Sequence, residues 1–560
     1  MSHRTLGPGL LFTLMLAAVA EVVVSELHKC RVWPLGRVLL GDEASFTMKN
    51  TLIWCAALLG VLSSGCGGGD GSTAVIAPLS ASATSVSFST PQAVGTSAAI
   101  QTITLTNKNT SELTLTSITL TGSTPASFAE ASDCPTMLSA SASCTIWVTF
   151  GPTTAAAATA SVNVVSNATN SPTVVTLTGT GVANTSPANI LSVTVDPGPI
   201  GFLAADLGNQ VNQPYTSVMV CTPGSSSDCQ VIDHILVVSY FTGLRILASA
   251  LNPGGTSPVG GAVPVPVTIG GNPLRECLVY DGYAWGSVVR ADVRLGGYML
   301  SSLPIQLIGD TASGAAPSDC AATGNDLGTV QSLAANGTLG INGFASNYDC
   351  PTCATAAQPT TYYSCPSGGS CASTAVPLAD QLVNPISQVP AYNNGAILAL
   401  DAPAATGSQS ATGTLTLGIN IDGTNQLGTT PLLTVSSIGA FTTSFAGTVF
   451  ISYLSSAATA NYFPSSTITL CGDSNFYCPA TPLTETATLI GANNTQVAET
   501  FAVTNADVDF GNADFSALPG LSGPYSPNFI WGMPFFYGKS VYLLYAGQTV
   551  AGVTGPAIGF

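Results

Sequence analysis

Few residues in this chain are able to do acid–base or nucleophilic chemistry. Of three histidines, two lie in the first 30 residues, so any Ser/His/Asp system in the body of the protein depends on His234 alone. No Gly-x-Ser-x-Gly elbow accompanies it. Its neighbour is Asp233, and the spacing reads as a structural pair. Asp422, Asp473, Asp507 and Asp509 fall in Gly/Asn-rich stretches and read as turn formers. Cys350-Pro-Thr-Cys353 with Cys365 and Cys371 could form a four-thiolate zinc site or two disulfides. An exported protein favours the disulfides, with the three connectivities open. Metal ligands at convincing spacing are otherwise absent, and neither a metal nor a cofactor is expected.

The surrounding composition bounds the partners. Charged residues make up only 7% of 560 residues, against 46% hydrophobic, which suffices for a large core and argues against disorder. After Cys66 the only basic residues are Lys108, Arg245, Arg275, Arg290, Arg294 and Lys539. With no basic patch to neutralise phosphates, nucleic acid is excluded as a partner, and the acidity reads as solubility. Twelve further cysteines follow Cys66: Cys134, Cys144, Cys221, Cys229, Cys277, Cys320, Cys350, Cys353, Cys365, Cys371, Cys471 and Cys478. An even number, several as close pairs around turn residues, reads as disulfides in an oxidising compartment.

Met48-Lys-Asn, the apolar run Thr51–Leu62 and Ser63-Ser-Gly-Cys66 describe a signal peptide. The segment resembles a bacterial lipoprotein signal, although Ser63 stands where Leu is usual. That resemblance implies lipidation at Cys66, a signal over residues 48–65, a tether over 66–80 and attachment to the outer membrane or cell surface, with free secretion as the alternative. Residues 1–47 then read as an extension from a misplaced start.

The elements behind these residues are strands. Seven alternating runs fall within residues 81–181: Ser85–Phe88, Ile103–Leu105, Leu113–Leu115, Ile118–Leu120, Ile146–Val148, Val162–Val164 and Val175–Leu177. Their two-residue period predicts a β-sandwich over 81–183. Val86-Ser-Phe88, Thr104-Leu-Thr-Asn107, Cys134, Cys144-Thr-Ile-Trp-Val-Thr-Phe150-Gly-Pro152 and Leu177-Thr-Gly-Thr-Gly181 resemble the immunoglobulin-like choice-of-anchor D domains, related to the ASPM/SPD-2/Hydin group. The resemblance implies a spacer or binding module without catalytic residues. Val182–Ala188 reads as a linker, and residues 184–560 read as a second, nearly all-β domain with short helices at 375–383 and 514–518.

That second domain resembles pepsin-like aspartic peptidases in a series of motifs, and looks like a bacterial exported family of unknown function. Tyr215–Pro223 is similar to the opening strand. Ile235–Ile246 is similar to the strand entering the first Asp-Thr-Gly loop. Tyr280–Gly286 resembles the flap hairpin, and Ala335-Asn-Gly-Thr-Leu-Gly-Ile341 the strand beneath the loop. Ser452–Phe463 and Trp531–Tyr537 are similar to the second loop and its supporting element. The resemblance implies two lobes with a cleft between them.

The departures bear on chemistry. Val238 and Ser455 fall on the two aspartates, Ser239 and Ser456 on the hydroxyl residues that tie the loops together, and Tyr240 and Ala457 on the glycines. Two close carboxylates activate water by sharing one proton, and here neither is present. Asp233 cannot replace them, since five residues along an extended strand is more than about 15 Å. The expected function is therefore a catalytically degenerate binding or scaffold module of the envelope, with a peptide or glycan ligand and Tyr280, Tyr283 and Trp285 as flap contacts. A purely structural surface protein, or a hydrolase with a substitute site, are the alternatives.

Overall fold

The computed structural model describes residues 78–205, 208–251, 261–280, 282–472 and 475–560. The expected signal segment, Cys66 and Asp473 lie outside them. Strands dominate throughout, and no described α-helix exceeds five residues. Among the described residues no helix is long and apolar enough to cross a membrane.

Two sheets form the N-terminal sandwich. One runs Leu79–Ala81, Gln101–Asn107, Ser143–Phe150, Phe128–Ser132. The other runs Ser85–Ala93, Thr173–Val182, Ala157–Ser166, Leu113–Gly122, Met137–Leu138. Alternation decides which side chains meet: Val86, Ile103, Leu105, Ile146, Val148, Val162, Val175 and Leu177 share one core. The rings of Phe88, Phe128 and Phe150 pack at 5.0–6.1 Å within it. Two expected runs, 113–115 and 118–120, merge into one strand whose register shifts between Leu115 and Ser117. The first strand begins at Leu79, inside the expected tether, because Leu79 is buried in the sandwich core.

The C-terminal region builds one 17-strand sheet and a separate 7-strand sheet. A spine at the centre joins its halves: Ile190–Val195 pairs with Ala411–Leu417, then Gly395–Leu400, then Lys539–Leu544, then Ala557–Gly559. Strands Pro214–Cys221 and Thr242–Leu247 are buried on both faces, which is why they read as continuous apolar runs. The expected helix at 375–383 reduces to a 3-10 turn, Leu378–Asp380, begun after Pro377. None forms at 514–518. The helical turn lies instead at Ala506–Phe510, where the Asn505 side chain accepts from the Val508 N–H.

The same device occurs in each half. In the first, Cys229–Val238 runs parallel to Gly337–Ile341, which pairs antiparallel with the outgoing strand Thr242–Leu247. In the second, Thr448–Leu454 runs parallel to Phe529–Trp531, which pairs antiparallel with Asn461–Tyr462. Each half thus hangs a loop over a supporting strand. Glycine is required under both loops. A Cβ at Gly340 would lie 2.6 Å from the Phe241 carbonyl carbon, and one at Gly532 would lie 2.0 Å from the Ala460 oxygen.

Sandwich and C-terminal region belong to one compact unit, Ala74–Phe560, and a charged cluster ties them. Asp233 accepts from Ser97 Oγ of the sandwich at 3.1 Å and from Asn336 Nδ2 at 2.8 Å. His234 lies between two carboxylates, with Nε2 3.2 Å from Asp196 and Nδ1 3.4 Å from Asp233. It holds a left-handed φ of 47°, which costs about 1 kcal/mol or more for such a residue. Burial alone would lower the imidazole pKa, but Asp233 and Asp196 raise it to about 10. Burial likewise pushes both carboxyls up, and His234 overrides it, leaving Asp196 and Asp233 below their ordinary value.

The signs predict a stability window. The imidazolium contribution is complete below the ordinary value of 6.5 and is lost as pH climbs through about 10. The carboxylate contributions are complete above 3.8 and are lost as pH falls through the depressed values. His234→Gln leaves two buried carboxylates without their cation and should cost about 3 kcal/mol in urea unfolding at neutral pH. The wild-type advantage should shrink at both pH extremes, and a constant difference across the range would contradict the assignment.

Candidate functional site

Where the two loops meet, the chain ties itself together through serines. The Ser239 N–H donates to Ser456 Oγ at 3.0 Å, and the Ser456 N–H donates to Ser239 Oγ at 3.1 Å. Each hydroxyl then donates across the junction: Ser456 Oγ to the Val237 carbonyl at 2.6 Å, Ser239 Oγ to the Leu454 carbonyl at 3.4 Å. Both serines are buried. Strand termination explains their position. Cys229–Val238 and Thr448–Leu454 end at this junction, leaving backbone groups that their own ladders no longer satisfy.

The residues one place earlier carry no ionisable group. Val238 is 1% exposed and packs with Tyr215, Leu236, Ala335, Phe241 and Ala457. Ser455 is half-buried, and its N–H donates to the Trp531 carbonyl at 2.9 Å. Tyr240 and Ala457, at the expected glycine positions, keep negative φ, so neither loop strains to hold a side chain. Tyr240 turns outward and is 46% exposed.

An aromatic cluster surrounds it. Tyr240 packs on Phe241 at 4.7 Å and on Tyr280 at 6.0 Å, and Phe241 meets Tyr280 edge-on at 4.9 Å. Tyr280 sits in the turn between strands Asn272–Val279 and Tyr283–Leu295. Burial, then the neighbouring hydroxyls of Tyr525 and Tyr453, raise the Tyr240 pKa. Tyr280 and Tyr525 are 42% and 47% exposed. Both halves of the domain therefore contribute tyrosines to one surface.

The other two expected flap contacts go elsewhere. Trp285 is 5% exposed, its indole N–H donates to the Gly314 carbonyl at 3.2 Å, and its ring meets Tyr363 edge-on at 5.4 Å. Tyr283 packs against the same cluster, which includes Cys277, Cys320 and Cys365. The two are two residues apart on a strand and so share the face turned toward the disulfides. Of the three expected contacts only Tyr280 is exposed at the loops. Tyr240, Tyr453 and Tyr525 were not expected as contacts. Tyr240 carried a local signal, an aromatic at an expected glycine position, but no local pattern marks Tyr453 or Tyr525.

All twelve cysteines pair: 134–144, 221–229, 277–320, 350–353, 365–371 and 471–478. The four-cysteine cluster thus resolves into its two nearest-neighbour bridges, leaving no thiolate for zinc.

Beneath the first loop, Arg245 is buried with two acids. Its Nε donates to Glu276 at 3.2 Å, a second nitrogen also bonds Glu276, and Asp349 lies 3.7 Å away. Tyr362 donates its hydroxyl to Asp349 at 2.8 Å. Burial, then Glu276, push the Asp349 carboxyl well up. Arg245 Nη1 donates to the Thr242 carbonyl at 2.7 Å, so this cluster braces the loop from behind.

A family model described as "Protein of unknown function (DUF3443)" matches residues 185–560. No curated protein matches the chain. Among solved structures, the crystal structure of aspartic proteinase from Irpex lacteus overlays with a TM-score of 0.39 and 14% identity, covering 67% of this chain and 96% of that one.

Removing one member of the seryl exchange leaves a buried N–H without its acceptor. Ser456→Ala and Ser239→Ala should each cost about 1–3 kcal/mol in denaturant unfolding. The double variant should cost clearly less than the sum, since both act on one network. Additive losses would mean the two loops are not coupled through these serines.

Proposed function

We propose, for a chain that belongs to the DUF3443 family of proteins of unknown function, a non-catalytic binding role centred on the two tied loops. The observation that carries this reading is the pair of positions flanking the seryl exchange, Val238 and Ser455. Activating water requires a group that titrates in the working range and sits at the reacting centre. An isopropyl group and an alcohol do not. The nearest candidate base in sequence, His234, is held between Asp196 and Asp233 as an imidazolium, which cannot accept a proton from Ser455.

The surface fits recognition better than turnover. Tyr240, Tyr280 and Tyr525 offer exposed rings with hydroxyl tips, the combination enriched where proteins grip partners. Val449, Ile451 and Tyr453 occupy one face of their strand by its two-residue period, with Val449 and Ile451 62% and 54% exposed. Such a row suits an extended ligand, a peptide or a glycan. Six disulfides support an oxidising, exported setting. On this reading the sandwich of residues 79–182 is a choice-of-anchor D-like spacer and Cys66 the lipid attachment point at the cell surface. One observation favours a purely structural role instead: Tyr240, Phe241 and Tyr280 already pack on one another.

Two measurements test the proposal. The purified protein should leave casein intact from about pH 2 to 8, and cleavage with an acidic optimum would overturn the non-catalytic reading. On peptide and glycan arrays the wild type should retain ligands that Tyr240→Ala and Tyr525→Ala bind at least about tenfold more weakly. Retention unaffected by either change, or no retention at all, would favour the structural role.

A further inference from the structure

A second feature shares no lining residue with the tyrosine surface. Between the sandwich and the first half of the C-terminal region lies a cavity of about 590 Å³, within the size range of small-molecule sites. Its walls hold the Asp196–His234–Asp233 cluster and Arg294. The acids there are already satisfied. Asp196 accepts from Thr194 Oγ1, the Gly198 N–H and His234. Asp233 accepts from Ser97 and Asn336 and pairs with His234.

Arg294 is not satisfied. Its Nε is sealed from solvent without an acceptor. Among the described residues its side chain has no hydrogen-bond or ion-pair partner, whereas Arg245, Arg290 and Lys539 each hold a carboxylate. A guanidinium presents five donors in a planar fork whose best complement is a carboxylate or phosphate. Arg294 is only partly buried and its terminal nitrogens are not sealed, so they are the part of the fork that an oxyanion in the cavity is able to reach. Ser186, Ser192, Ser217 and Ser410 also line the cavity; among the described residues their hydroxyls make no hydrogen bond to the protein, and Ser186, Ser192 and Ser410 are exposed. Hydroxyls both donate and accept, as ring hydroxyls of a sugar require.

We propose that this cavity binds a carbohydrate bearing an oxyanion, with Arg294 holding the carboxylate or phosphate and the four serines meeting the sugar hydroxyls. The site draws walls from both the sandwich and the C-terminal region, so its ligand bridges them.

Titration calorimetry on the disulfide-bonded full chain tests this with glucuronate, glucose 6-phosphate and glucose as probes. At least one anionic sugar should bind, with glucose at least about tenfold weaker. Binding of glucuronate alone identifies the carboxylate as the partner; binding of glucose 6-phosphate alone identifies the phosphate. Arg294→Gln should weaken the anionic sugar at least about tenfold, and Arg294→Lys, which keeps charge without the fork, should fall between. If Arg294→Gln fails to fold by circular dichroism, Arg294→Lys carries the test through the same comparison. Lys108→Gln, which removes an exposed cation outside the cavity lining, should bind these sugars as the wild type does, which separates the Arg294 contact from a loss of overall charge. The inference is overturned if no anionic sugar binds, if glucose binds equally, or if the Arg294 variants bind unchanged.

Discussion

The reciprocal bonds between Ser239 and Ser456 are the constraint on which the rest of the C-terminal region depends. Each serine accepts from the other's backbone and donates to a carbonyl of the strand entering the other loop. In a buried setting these four bonds have no water to compete with, and breaking one exposes an orphan donor. They connect positions 217 residues apart in sequence. The supporting strands, the glycines beneath them and the central spine all serve to bring two short loops within hydrogen-bond distance.

Retaining this tie without ionisable neighbours separates architecture from chemistry. The two entering strands, their parallel partners and the glycines under each loop position the tie. Between the loops the environment is apolar, with Val238 packed among Tyr215, Leu236 and Ala335. A carboxylate placed there would meet desolvation without a partner. The seryl exchange joins the two loops, and Tyr240 lies beside it at the surface.

Two buried clusters of ionisable side chains stand out in this charge-poor protein. Asp196–His234–Asp233 joins sandwich to domain, and Arg245–Glu276–Asp349 braces the first loop. Low local dielectric strengthens each pairing, and each member becomes costly if its partner is removed. Such clusters favour one arrangement of the elements over others that would strand a charge. Arg294 departs from that rule, and the departure falls in a cavity.

Much of the architecture was legible locally. Period-two runs specify strands because side chains alternate between faces whatever the strand later pairs with, and the sandwich core residues follow from that alone. The two serines that tie the loops, Ser239 and Ser456, were singled out from the order of motifs along the chain. An even cysteine count in close pairs pointed to disulfides, though 277–320, spanning 43 residues, required the fold to bring its ends together. Tertiary structure decided the remainder. Trp285 and Tyr280 are five residues apart in one hairpin, yet one is core and the other surface, because Trp285 lies on the strand face covered by the disulfide cluster while Tyr280 sits in the turn. Asp196 reaches His234 across 38 residues and Ser97 reaches Asp233 across 136, distances at which no local pattern carries information. Tyr525 joins Tyr240 for the same reason: the sequence determines what each residue is able to contact, while the closing of distant strands determines which contacts are made.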